Sequence, residues 1–86
     1  MHTVSQLELA LKLATQLGYQ VRHEWLDGVG GGLCEFGGRR WIFVDLALPP
    51  HEQLHQVRDS LMADPVLASL ELDDSTRQQL NLPRAA

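Results

Sequence analysis

The spacing of hydrophobic positions changes along this chain, and each change marks an element. Leu7, Ala10, Leu11, Ala14 and Leu17 recur at helical spacing, and Leu9 and Leu13 widen the stripe. The pattern predicts an amphipathic helix over residues 5–17, with its apolar face laid on a sheet. Ser5 with Glu8 three residues on reads as a capping box, and Thr3 with Gln6 is an alternative start. Gly18 stands where a helix ends. From residue 19 to 26 the period drops to two. Tyr19, Val21, His23 and Trp25 point one way, and Gln20, Arg22 and Glu24 the other. That alternation predicts a half-buried strand.

The centre of the chain predicts a hairpin. A glycine run over residues 28–32 leads into Leu33-Cys34-Glu35-Phe36, and Gly37-Gly38 separates this segment from Arg39-Arg40-Trp41-Ile42-Phe43-Val44-Asp45-Leu46. A two-residue Gly-Gly loop suits a primed turn. It sets Phe36 opposite Arg39, Glu35 opposite Arg40, Cys34 opposite Trp41 and Leu33 opposite Ile42. Cys34, Phe36, Trp41 and Phe43 then share one face, and Leu33, Glu35, Arg40, Ile42 and Val44 the other. Glu35 and Arg40 form a favourable cross-strand charge pair. Apolar residues on both faces of the return strand make it central, or covered on both sides. The simplest sheet is an antiparallel meander of three strands. The alternative sets residues 19–26 beside the return strand, in parallel.

Pro49-Pro50 stops the sheet and can open a helix at once, with Glu52 near its positive end. Leu54, Val57 and Leu61 make its core stripe. Asp64-Pro65 breaks it, and Asp64 is a natural N-cap for a short helix over residues 65–70. Asp73 caps a further turn or two through Leu80, and residues 81–86 read as a frayed tail. The expectation is a single α+β domain over residues 1–86, ordered over about 5–80. It comprises an N-terminal helix, a three-stranded, mainly antiparallel sheet built on the Gly-Gly hairpin, and two or three C-terminal helices.

Composition narrows the function. At 86 residues the chain holds one small domain with a thin core. A net charge of −4 argues against nucleic acid as the main partner. A single cysteine excludes an internal disulfide. With no signal-like N-terminus and no long apolar run, the chain reads as a cytoplasmic protein without a membrane span.

Two places could carry chemistry. His51-Glu52-Gln53-Leu54-His55 matches H-E-x-x-H, in which two histidines one helical turn apart bind zinc and the glutamate is general base on the metal-bound water. Zinc requires a third protein ligand, and Glu71, Asp73, Asp74 and His23 are the candidates. Pro50 puts the motif in the first helical turn, where the helix end disfavours a cation. The plainer reading is two solvated histidines. Cys34 could be a nucleophile beside the glycine loop, or a small buried residue packed on Trp41. Gly30, Gly31 and Gly32 could let backbone N–H groups approach an anion, or could serve as a bulged entry that lets the neighbouring strand lie close. Trp25, Trp41 and Phe43 could stack bases, or could fill the core. Asp45 interrupts an apolar strand end and either caps the turn before Pro49-Pro50 or faces a cleft.

The run Leu17-Gly18-Tyr19-Gln20-Val21-Arg22, then Gly30-Gly31-Gly32-Leu33-Cys34, then Gly38 and Phe43-Val44-Asp45, resembles a family of short bacterial proteins with no assigned activity. The resemblance spans roughly residues 7–62 and implies a bacterial cytoplasmic protein. The family's pattern does not require His51 or His55. The leading expectation is a non-enzymatic interaction or regulatory module that binds an unidentified protein or a second copy of itself, without a cofactor. The alternative is a minimal zinc-dependent hydrolase using His51, His55 and Glu52.

Overall fold

The computed structural model describes residues 3–29 and 31–82. Its elements run α1 (Thr3–Gln16), β1 (Gln20–Glu24), β2 (Gly32–Phe36), β3 (Arg39–Asp45), α2 (Pro50–Met62), a 3-10 turn (Leu67–Ser69) and α3 (Asp74–Leu80). This is the α+β order expected. α1 already includes Thr3, so Ser5 and Glu8 lie within its first turns and do not form a cap. Its far end closes through two backbone bonds, Tyr19 N–H to Ala14 C=O at 3.1 Å and Gly18 N–H to Thr15 C=O at 3.0 Å. The pair is a Schellman closure.

The hairpin forms in the expected register, with Leu33 opposite Ile42, Cys34 opposite Trp41, Glu35 opposite Arg40 and Phe36 opposite Arg39. Gly37 and Gly38 have φ of +62° and +74°, the successive left-handed pair that a type I′ turn demands. The antiparallel meander does not form. The strand order is β1-β3-β2, and β1 runs parallel to β3, with Val21 beside Ile42 and His23 beside Val44. The central position goes to the strand that buries most. β3 offers Ile42 and Val44 on one face and Trp41 and Phe43 on the other, whereas β2 offers Gly32, Cys34 and Glu35 among its five residues.

Two devices hold this arrangement. Gly31 lies against the backbone of β3, where a Cβ would overlap the carbonyl oxygen of Phe43. The glycine run is therefore a close-packing entry at this position. Gly30 lies outside the described residues. Two residues further along the same end of β3, Asp45 is fully buried. Its Oδ1 accepts the Leu26 N–H at 3.0 Å and the Ala47 N–H at 2.9 Å. One carboxylate thus pins both the exit of β1 and the turn after β3, and Asp45 is a structural cap.

The core lies on one side of the sheet. Ala10, Leu13, Ala14 and Leu17 meet Ile42, Val44, Val57 and Leu61, with Tyr19, Leu67, Leu80 and Leu82 closing the cluster. The short helix expected over 65–70 is only the three-residue 3-10 turn. α3 is capped by Asp73, whose Oδ1 accepts the Thr76 N–H at 2.7 Å. Arg58 donates to the carbonyls of Leu80 at 2.8 Å and Asn81 at 3.1 Å, a cation at a helix C-terminus. The frayed tail expected from residue 81 does not include Asn81 and Leu82. Leu82 N–H bonds Arg77 C=O at 2.9 Å and its side chain is buried; residues 83–86 of that tail lie outside the described residues.

Candidate functional site

β3 carries apolar residues on both faces, but α1 and α2 cover only one. The face of Ile42 and Val44, 1% and 0% exposed, is sealed. By strand alternation the opposite face carries Gln20, Arg22 and Glu24 from β1, Arg39, Trp41, Phe43 and Asp45 from β3, and Gly32, Cys34 and Phe36 from β2. On it Phe36, Trp41 and Phe43 form a continuous row. The Phe36 and Trp41 rings are 5.4 Å apart and 8° from parallel, and those of Trp41 and Phe43 are 6.2 Å apart and 22° from parallel. Such offset pairs contribute about 0.5–1.5 kcal/mol each beyond burial. Phe36 remains 55% exposed. The Trp41 indole N–H is buried without an acceptor among the described residues. Arg22 bonds Glu24 at 2.7 Å beside the row.

Several expectations change here. Cys34 is exposed on this face and is not a buried residue packed in the core. Trp25, expected in the core with Trp41, is 68% exposed. Trp41 and Phe43 are half-buried, and their rings stack on each other. Gly31, Gly32 and Cys34 line a shallow depression of about 260 Å³ at the Phe43 end of the row, together with Leu26 and Leu33.

The H-E-x-x-H motif opens α2, which starts at Pro50 after an extended Pro49. His51, Glu52 and His55 are exposed. They line an open depression of about 440 Å³ with Gly28, Val29, Leu48 and Gln56. His55 Nε2 lies 3.1 Å from Asp59 Oδ2 one turn on, a helix-surface pair. Among the described residues no three His, Cys, Asp or Glu side chains converge as a metal site. His23, Glu71, Asp73 and Asp74 therefore do not join the two histidines.

A polar cluster lies behind the sheet, buried at Tyr19 and Asp64 and partly open at Arg40. Tyr19 Oη donates to Asp64 Oδ2 at 2.7 Å. Arg40 donates to the same oxygen at 2.9 Å and to the Leu17 carbonyl at 2.6 Å. The guanidinium also sits 4.3 Å from the centre of the Tyr19 ring. Asp64 Oδ1 accepts the Val66 N–H at 2.9 Å. Arg40 thus turns to Asp64, although Glu35 faces it across the ladder as expected. Burial, then the hydrogen bond to Asp64, pushes the Tyr19 hydroxyl up to about 12. Burial alone would raise Asp64. The bonds from Tyr19 and the Val66 N–H, with the Arg40 charge, overcome it and hold the carboxyl below its ordinary value. The cluster closes the junction between the end of α1, β3 and the segment after α2. The signal for it was Arg40 itself, a cation on the core-facing side of β3, which needs a buried partner.

No protein-family model matches the chain, and no match was found among curated proteins or solved structures. Among the described residues no helix is long and apolar enough to cross a membrane.

Proposed function

We propose that this protein is a non-enzymatic interaction module that receives a protein partner on the uncovered face of its sheet. The observation that carries this reading is the ring row Phe36–Trp41–Phe43, lying on the face away from the helices. Aromatic side chains bring large contact area at low entropic cost and dominate binding energy where they gather. Contiguous apolar surface of this kind marks binding sites on small proteins. The fitting ligand is a peptide segment that presents an apolar or aromatic anchor to the row. Nucleic acid fits less well. The chain carries a net charge of −4, and the Arg22 beside the row is already bonded to Glu24. The zinc hydrolase alternative has His51, His55 and Glu52 on one exposed helix turn, without a third ligand beside them among the described residues.

Selection of peptides from a random library on the immobilised protein tests the reading. The peptides recovered should share an apolar or aromatic anchor. Phe36→Ala and Phe43→Ala should each weaken their binding about tenfold, roughly 1.4 kcal/mol. Peptide binding indifferent to both substitutions would overturn the proposal, as would a thymidine oligonucleotide binding more tightly than any selected peptide.

A further inference from the structure

The two edges of the sheet are built differently. β1, the outer strand on one side, carries Gln20, Arg22, His23 and Glu24 among its five residues, and the Arg22–Glu24 pair holds its charges at the rim. Charge of this kind guards an edge against pairing with another chain. β2, the outer strand on the other side, reads Gly-Leu-Cys-Glu-Phe. It contains no proline or lysine, and Leu33 and Phe36 are about half exposed. A two-residue turn closes on a hydrogen-bonded pair, so Phe36, Cys34 and Gly32 turn their backbone groups toward β3. Leu33 and Glu35 then present theirs outward.

We propose that β2 is a self-pairing edge: two copies of this chain join β2 to β2, antiparallel, about a two-fold axis at Cys34, into one continuous six-stranded sheet. The strand is complementary to itself in that register. Leu33 and Glu35 of each copy exchange N–H and C=O groups with Glu35 and Leu33 of the other. No like charges oppose, because each Glu35 faces a leucine. Each Phe36 lies across the second copy's Gly32, and an aromatic side chain over an edge glycine restores the packing that the glycine lacks. The two Cys34 side chains meet at the axis as a non-hydrogen-bonded pair, the closer of the two antiparallel spacings. A five-residue contact falls below the roughly 1,200 Å² of a standard interface, so association is reversible and depends on concentration. This pairing goes beyond the face reading and does not rest on it, since it is carried by backbone groups of the edge, and of the ring row only Phe36 takes part.

Sedimentation of the purified chain from low micromolar to millimolar concentration tests it, with circular dichroism to check that each variant is folded. The parent should pass reversibly from monomer to dimer. Leu33→Glu sets a carboxylate opposite each Glu35 and should weaken the dimer about tenfold or more. Leu33→Lys should leave it unchanged or tighten it, and Leu33→Glu combined with Glu35→Lys should restore it. Diamide, which takes up the two thiol hydrogens as the disulfide forms, should cross-link Cys34 to Cys34 at dimer concentrations and not in Leu33→Glu. If Leu33→Glu does not fold, Leu33→Lys and the cross-link decide. A strict monomer throughout, or a dimer indifferent to the sign of charge at position 33, would overturn the proposal. Peptide binding to the ring row, measured where the chain is monomeric, does not depend on the dimer, so the two readings fail separately.

Discussion

The two faces of β3 are both apolar, yet they have different fates. Ile42 and Val44 point at α1 and α2 and are sealed from water, while Trp41 and Phe43, on alternate positions of the same seven residues, point away from every helix. Polarity alone therefore does not separate core from surface in this strand. What separates them is supply. Two helical stripes cover one side of a three-stranded sheet, and a domain of this size has no further layer for the other. On the face left over the rings stack on one another, nearly parallel.

Substitutions on the two faces separate these fates. The largest effect should come from the sealed face. Ile42→Ala should cost about 2–5 kcal/mol in urea unfolding, the sum of lost burial and a cavity between sheet and helices. Phe36→Ala, which removes a larger side chain, should cost only about 1 kcal/mol, the worth of one ring pair at an exposed site. Equal losses at the two positions would mean that both faces are core.

An intermediate effect should come from the polar cluster behind the sheet. Asp64→Ala should cost about 1–3 kcal/mol, because the Tyr19 hydroxyl and the Val66 N–H lose their acceptor. The same cluster sets the pH dependence. Asp64 is held below its ordinary 3.8, so its contribution is present above that value and is lost as pH falls through the lower folded value. Tyr19 is raised from 10.0 to about 12, so its contribution is complete below pH 10 and is lost as pH rises from 10 toward 12. Tyr19 is the chain's single tyrosine, so phenolate absorbance reads it directly. It should titrate near 12 in the folded protein and lower in Asp64→Ala, where burial still raises it but the bond and charge of Asp64 are gone. The smallest effect should be at the histidine motif. His51→Ala should change stability by less than about 0.5 kcal/mol, as expected for an exposed side chain away from packing.

Much of this fold was legible because turn chemistry is local. Gly37-Gly38 fixed the pairing of β2 with β3 residue by residue, and alternation put Cys34, Phe36, Trp41 and Phe43 together. Strand order was not legible, because no local signal states which neighbour β1 takes. The choice rests on Gly31 fitting the Phe43 backbone and on Asp45 capping two loops at once, and both depend on the folded approach. Parity likewise told which residues share a face, but not which face the helices would choose. Cys34 is exposed on the face the helices leave, whereas Trp25, in parity with Val21, lies beyond the end of β1 and is exposed there. The Tyr19–Asp64 bond spans 45 residues and has no periodic signature. The H-E-x-x-H spacing, by contrast, was plain in the sequence, yet its residues lie on an exposed helix turn that recruits no third ligand among the described residues.

The openness of the aromatic face is tested most directly at Cys34, which sits on it opposite Trp41. At dilute, monomeric concentration a thiol reagent should label the folded protein within about tenfold of the rate for the unfolded chain, since no opening is needed to reach an exposed thiol. Labelling slowed by on the order of a hundredfold or more, and released only on unfolding, would contradict an uncovered face.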